Sequence, residues 1–116
     1  MLNFIESVKE IKKIKNKSYC LIIGGHGTRN ARSPKIWNKI LIKNNINCKM
    51  IPIEIQKKFL YSLLDFVKND DRFLGGSIGV PYKEDIFRYL GKNIDSYSQK
   101  IGSVNCLYKK RDKNLY

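Results

Sequence analysis

The sequence predicts an α/β fold in three layers, a largely parallel or mixed sheet flanked by helices. Short apolar runs ending in glycine alternate along the chain with segments whose apolar residues recur every three to four positions. Strands separated by helices pair in parallel, because each crossover brings the chain back to the same end of the sheet. The length of 116 residues leaves room for one such unit, and 42% hydrophobic residues supply its core. A single domain over residues 1–116 is expected, with no internal repeat, linker or dinucleotide-binding domain.

The first expected element is a helix over about residues 2–15. Leu2, Ile5, Val8, Ile11 and Ile14 recur at three-residue steps as one buried stripe, opposite a solvated face of Lys9, Lys12, Lys13, Lys15 and Lys17. Residues 18–23 (SYCLII) form a short apolar run entering Gly24-Gly25, which reads as a buried strand followed by a tight loop. Ser33-Pro34 opens the next helix, with Ser33 as N-cap and Pro34 at the first helical position, where its missing N–H costs nothing. Ile36, Trp37, Ile40 and Leu41 keep the helical period and Asn44-Asn45 ends it. Residues 47–55 alternate as a strand, and Pro52, which lacks a ladder donor, puts that strand at an edge. Phe59, Leu60, Leu63, Leu64 and Val67 mark an amphipathic helix. Residues 73–80 (FLGGSIGV) read as a glycine-rich strand and loop closed by Pro81, residues 82–90 and 94–100 as helices, and residues 103–108 as a fourth strand.

Lys and Arg total 23 and Asp and Glu 10, a formal charge of +13. Residues 1–58 hold 13 basic and 3 acidic side chains (+10), and residues 59–116 hold 10 and 7 (+3). Lysine supplies 18 of the 23; with 16 Ile and 11 Asn, all drawn from A/T-rich codons, the excess points to nucleotide bias rather than an anionic polymer. No aromatic residue interleaves with the densest lysine run to stack on bases, which argues against nucleic acid as a partner. Cys20, Cys48 and Cys106 lack metal-ligand spacing, and a lone His26 does not complete a zinc site with them, so neither a metal nor a disulfide framework is expected. Glu6 and Glu10 stand where a signal peptide needs apolar residues, and no apolar run reaches a membrane span of roughly 18 residues. A cytoplasmic protein without a membrane partner is the expectation.

Gly25-His26-Gly27 after a strand invites a dinucleotide-loop reading. The sixth position is Asn30, the helix begins later, and Ile51 and Ile53 stand where an acidic strand end is required, so no cofactor is expected on this chain. Two glycine-bearing loops remain, residues 24–33 and 75–83. At a common carboxyl edge of an α/β sheet such loops converge on a ligand crevice. Lys83 follows Pro81 into the first turn of a helix, where the positive dipole end is a costly place for a cation and suits a lysine engaged in proton transfer, although on position alone a solvated surface lysine is the commoner reading and the spacing does not establish catalysis.

Three segments in order resemble the N-terminal, substrate-binding domain of the shikimate dehydrogenase family. Ser33-Pro34-Lys35-Ile36-Trp37-Asn38 is similar to S-x-S-P-x-x-H-N, residues 75–84 (GGSIGVPYKE) to G-x-N-V-T-x-P-x-K-E, and residues 101–107 (IGSVNCL) to I-G-A-V-N-T-L. The resemblance covers about residues 19–116. It implies that Lys83 is the catalytic lysine contacting the hydroxyl that is oxidised, that Asn105 binds a substrate hydroxyl, and that Ser33 helps to hold the substrate carboxylate. The implied ligand is a small anionic cyclic hydroxy acid. NADP is expected only if a second domain or chain is present, with a separate cofactor-binding chain or a homodimer as possible assemblies.

Departures from the pattern are also informative. Ala31 replaces the first serine, Ser77 the asparagine, Gly79 the threonine and Cys106 the threonine after V-N. Each lost hydroxyl or amide removes about 0.5–1.5 kcal/mol of hydrogen bonding. Arg29 and Arg32 lie in the same loop, and one of them is expected to grip the anionic group in their place. The family's next motif, G-x-N-T-D, whose aspartate partners the catalytic lysine, lies beyond Tyr116, so hydride transfer by this chain alone is not expected. The alternative reading is a free-standing, non-catalytic binding module derived from the family.

Overall fold

Three parallel strands and one antiparallel strand form the sheet. In this computed structural model, which describes residues 1–110 and 114–116, β1 (Ser18–Gly24), β2 (Cys48–Glu54), β3 (Phe73–Ile78) and β4 (Cys106–Tyr108) lie in the order β2-β1-β3-β4. Ser18 to Gly24 pair with Cys48 to Glu54, β3 pairs with the other side of β1, and β4 runs antiparallel to β3. Pro52 therefore sits on an edge strand, as its missing donor requires. The helices are α1 (Phe4–Lys12), α2 (Ser33–Lys43), α3 (Leu60–Lys68), α4 (Lys83–Leu90) and α5 (Ser96–Ile101), with 3-10 turns at Thr28–Asn30 and Lys57–Phe59. The expected α/β class with a mixed sheet is what the chain adopts.

The two faces of the sheet differ in how they are covered. Tyr19, Leu21 and Ile23 of β1, Ile53 of β2, Phe73 and Ile78 of β3 and Leu107 of β4 bury one face against Ile11, Leu60, Leu63, Leu64, Val67 and Ile86 from α1, α3 and α4. Burying each large aliphatic side chain contributes about 1.5–3 kcal/mol, so this is the principal core. On the other face Cys20, Ile22, Cys48 and Met50 form a smaller layer under α2. Asn38 ties α2 to the edge strand: its amide donates to the Met50 carbonyl and accepts from the Met50 N–H, both at 2.8 Å.

Several boundaries differ from the sequence reading. The first helix ends at Lys12, and Ile5 is exposed while Ser7 is buried, so the inward stripe runs through Phe4, Ser7, Val8 and Ile11. A four-residue return follows the 3.6-residue turn, whereas steps of three drift off the face. A capping box between Asn3 and Glu6 opens that helix, and Arg72 donates to the Ile14 carbonyl at 3.1 Å just beyond its end. Ser33 is the first residue of α2 and not its N-cap; Arg32 occupies the cap position with helical backbone angles and no side-chain cap. Asn44 closes α2 and Asn45 takes a left-handed conformation (φ 57°). The fourth strand is shorter than expected, because residues 103–105 are drawn toward α4 and β3 by backbone hydrogen bonds. The chain end folds back: Tyr108 and Tyr116 exchange backbone hydrogen bonds at 3.0 Å, Lys110 lies 4.0 Å from the Tyr116 ring centroid, and Leu115 is buried.

Candidate functional site

The carboxyl ends of β1 and β3 lie side by side and bring the two glycine-bearing loops together. The Gly79 N–H donates to the Ile23 carbonyl at 2.8 Å, and the Gly25 N–H donates to the Val80 carbonyl at 3.0 Å. Gly25 allows this approach, since a Cβ there would come within 2.7 Å of Pro81 Cδ. The bond from Gly25 to Val80 is thus the joint between the loop of Arg29, Arg32 and Ser33 and the loop of Gly79 and Lys83.

Lys83 begins α4, and backbone bonds fix it from both directions. Its carbonyl accepts from the Val104 N–H at 3.2 Å, while the carbonyl of Asn105, the residue after Val104, accepts from the Ile78 N–H at 2.7 Å. Residues 103–105 thereby bridge α4 and β3, which places Asn105 beside Lys83 and Gly79. The neighbouring Tyr82 is buried and donates to the Ile55 carbonyl at 2.6 Å, anchoring the start of α4 to the chain just beyond β2. Among the described residues, the Lys83 ammonium, the Asn105 amide and the Ser33 hydroxyl make no hydrogen bond or ion pair. Three polar side chains held by structured backbone but not engaged with the protein are what a ligand-binding edge requires.

Arg29 and Arg32 are exposed, and their guanidinium groups make no hydrogen bond or ion pair among the described residues. No hydrogen bond joins them to Lys83 or Asn105 among the described residues. Sequence reasoning missed the residue that positions their loop. Glu54, the last residue of β2, accepts from the Arg29 N–H at 3.1 Å and lies 3.8 Å from His26 Nδ1. That backbone hydrogen bond, with help from His26 and Arg29 charge, holds its carboxyl below the usual range. A lowered folded value stabilises the fold above the unfolded carboxylate range, and this contribution disappears as pH falls through the folded value. Glu54→Gln is therefore expected to flatten the fall of melting temperature between about pH 5 and pH 3, where carboxylates titrate; an unchanged acid limb would contradict that role.

Glu54 also corrects the reading that no acidic residue ends the second strand. It does end β2, directly opposite Gly24. Its carboxylate is nonetheless committed to the Arg29 N–H, and the loop enters a 3-10 turn at Thr28–Asn30 before any α-helix begins. These residues lack the helix N-terminus directly after the glycines on which the pyrophosphate of a dinucleotide sits.

Comparison with known proteins assigns the arrangement to a family. The family model for the shikimate dehydrogenase substrate binding domain matches residues 23–107. The chain belongs to this family. It is 32% identical over 92 residues to the shikimate dehydrogenase (NADP(+)) of Clostridium beijerinckii, covering 79% of this chain and 33% of that protein. It is 27% identical over 109 residues to the Bartonella quintana enzyme, covering 92% of this chain and 35% of that one. The chain thus spans about a third of the length of these curated relatives. Among solved structures, shikimate dehydrogenase 1 from Peptoclostridium difficile superposes with a TM-score of 0.74 at 27% identity, over 85% of this chain and 36% of that one. The ligand-free 5-ketofructose reductase of a Gluconobacter strain shares the fold, with a TM-score of 0.74 at 15% identity.

Among the described residues no helix is long and apolar enough to cross a membrane, and no cluster of three or more His, Cys, Asp or Glu side chains could hold a metal ion.

Proposed function

We propose that this chain is the substrate-binding part of a shikimate-dehydrogenase-like, NADP-dependent oxidoreductase of the cytoplasm, acting on a cyclic hydroxy acid of aromatic amino acid biosynthesis. The supporting observation is the adjacency of Lys83 and Asn105, the two positions that match the family's lysine and asparagine, at the end of β3 with unengaged side chains. Lys83 contacts the hydroxyl to be oxidised and exchanges its proton, and Asn105 orients a neighbouring hydroxyl. Ser33 and one of the two arginines hold the carboxylate. The dinucleotide belongs elsewhere in the enzyme, because the described residues offer no cradle for it, and the chain by itself binds without turnover.

Ligand-induced stabilisation tests this reading. A ligand at 100 times its dissociation constant raises stability by about 2.7 kcal/mol, visible as a melting shift. Shikimate or quinate is expected to raise the melting temperature of the parent, and Lys83→Met and Asn105→Ala each to diminish that rise. A panel of cyclic hydroxy acids that leaves the parent unmoved, or variants that respond like the parent, would refute it.

Ala31 and Gly79 favour a second reading, a binding module that has lost the reaction and drifted from the family's ligand. Gly79 has space for a side chain, since a Cβ there would lie 3.7 Å from the nearest atom, the Ile23 carbonyl oxygen. Under the enzyme reading, Ala31→Ser with Gly79→Thr restores two hydroxyls and tightens shikimate binding by about 5–150-fold at about 0.5–1.5 kcal/mol each. No gain in affinity measured by calorimetry supports the drifted module.

A further inference from the structure

Three sulfur-bearing side chains gather on the face of the sheet opposite the principal core. Cys48 and Met50 are two residues apart on β2 and therefore project to the same face, and Cys20 of β1 is level with Met50 in the register. All three line a groove of about 260 Å³ between α2 and β3. The Cys20 and Cys48 Sγ atoms lie 4.0 Å apart. Cys48 and Met50 are buried and Cys20 is half-buried, while Trp37 and Leu74 at the mouth are about half exposed, so the groove floor is reached from solvent. The Asn38 amide holds both backbone groups of Met50, which fixes that residue on the floor.

The two thiols are poorly placed for a disulfide. Cys20 stands level with Met50 and Cys48 with Ser18, so closing the Sγ atoms to about 2.05 Å would pull β1 and β2 out of register. Burial, and then the neighbouring Cys48, push the Cys20 thiol up to about 12, which leaves little of the reactive thiolate. The same separation suits an ion shared between the sulfurs. With metal–sulfur bonds of about 2.3 Å, sulfurs 4.0 Å apart subtend about 120° at the ion, the angle of a trigonal site. Met50 carries the third sulfur on the groove floor. Zinc fits badly, because it takes four donors, and no cluster of three His, Cys, Asp or Glu side chains stands among the described residues to supply them. His26, the only histidine, lies beyond the carboxyl end of β1. We propose that Cys20, Cys48 and Met50 form a binding site for a soft monovalent ion, Cu(I), held by two thiolates and one thioether. Binding releases the two Sγ–H protons to solvent and changes no oxidation state, and the resulting site of net charge −1 sits in a chain of formal charge +13. Twenty-eight positions separate the two cysteines, and the thioether is not among the common ligands, so no spacing motif marks the site in the sequence.

Trp37 is the only tryptophan in the chain and lines the groove, so its emission reports the site. Reduced protein would be titrated with Cu(I) under anaerobic conditions in competition with the chromophoric chelator bicinchoninate. One Cu(I) per chain is expected, with quenching of Trp37, and X-ray absorption of the loaded parent should show three sulfur neighbours at about 2.3 Å. Cys20→Ala and Cys48→Ala are each expected to weaken binding by at least about 100-fold, more than the loss of an outer-shell partner, and Met50→Leu, which conserves volume, by about tenfold while melting near the parent temperature. Cys106→Ala removes a thiol outside the groove and should bind as the parent does. Zn(II) should bind at least about 100-fold more weakly than Cu(I), for want of a fourth donor. The absorption measurement on the parent keeps the test decisive should a cysteine variant fail to fold. Failure to compete with the chelator, a shell of two sulfurs, a matching loss in Cys106→Ala, Zn(II) binding as tight as Cu(I), or folded cysteine variants that keep the parent affinity would each overturn the proposal.

Discussion

Gly76→Ala is expected to destabilise the protein by about 3 kcal/mol, at the upper end of the ordinary cost of overpacking. Gly76 sits in β3 between Leu21 of β1 and Leu107 of β4, so neither side of the strand is free. A Cβ there would run into the Leu21 carbonyl oxygen, and it would lie 2.8 Å from the Leu21 carbonyl carbon and 3.0 Å from its nitrogen. All three are backbone atoms of the central strand, so relief requires β3 to move away from β1. That movement would break the ladder that places Gly79 against Ile23, and the site would loosen with the sheet. In a domain of this size the melting temperature should fall by about 10–20 °C. Gly79→Ala is the control. The nearest atoms to its Cβ are ordinary contacts at 3.7 and 3.8 Å, and the change should be neutral or slightly stabilising, by up to about 1 kcal/mol. Equal melting temperatures for the two variants would show that β1 and β3 are not packed as described.

The contrast between these glycines shows where sequence reading stops. The glycine-rich run is visible as a strand and loop, but which glycine is crowded by a neighbouring strand is a property of register that only pairing reveals. The order of elements is legible because each strand is a short apolar run and each crossover has helical periodicity. Helix ends are less so: Ser33-Pro34 has the composition of a cap, yet Arg32 already has helical angles and Ser33 falls inside the helix. That shift bears on function, since a hydroxyl that is not capping is available to a ligand. Asn105 shows the same effect, for its backbone carbonyl takes the strand-end bond and leaves the amide free. Lys83 and Asn105, 22 positions apart in sequence, come onto neighbouring backbone because residues 103–105 bridge α4 and β3. Glu54 escapes sequence reading because strand ends are poorly fixed by alternation; its partner, the Arg29 N–H, is backbone and leaves no mark on the sequence.

Replacing the arginine that grips the ligand carboxylate is expected to weaken binding of the cyclic hydroxy acid by about 10–150-fold, the equivalent of 1.5–3 kcal/mol for a hydrogen bond to a charged group. Arg29 and Arg32 belong to the loop after β1, one within the 3-10 turn and the other two residues beyond its end, at the cap position of α2. One of them is expected to carry the effect, since a single bidentate fork meets both carboxylate oxygens. Both are exposed and make no side-chain hydrogen bond or ion pair among the described residues, and alanine keeps the Arg29 N–H that Glu54 accepts, so Arg29→Ala and Arg32→Ala should melt close to the parent temperature without ligand. The readout is the melting shift produced by whichever acid stabilises the parent most. Lysine at the responsible position separates charge from shape. Lysine keeps the cation but not the planar fork that meets both carboxylate oxygens, so it should recover only part of the lost affinity. Full recovery would mean that the loop supplies field rather than bidentate contact. If both alanine variants bind as the parent does, the hydroxyls missing at Ala31 and Gly79 have no arginine substitute, and the carboxylate is held by Ser33 and backbone alone.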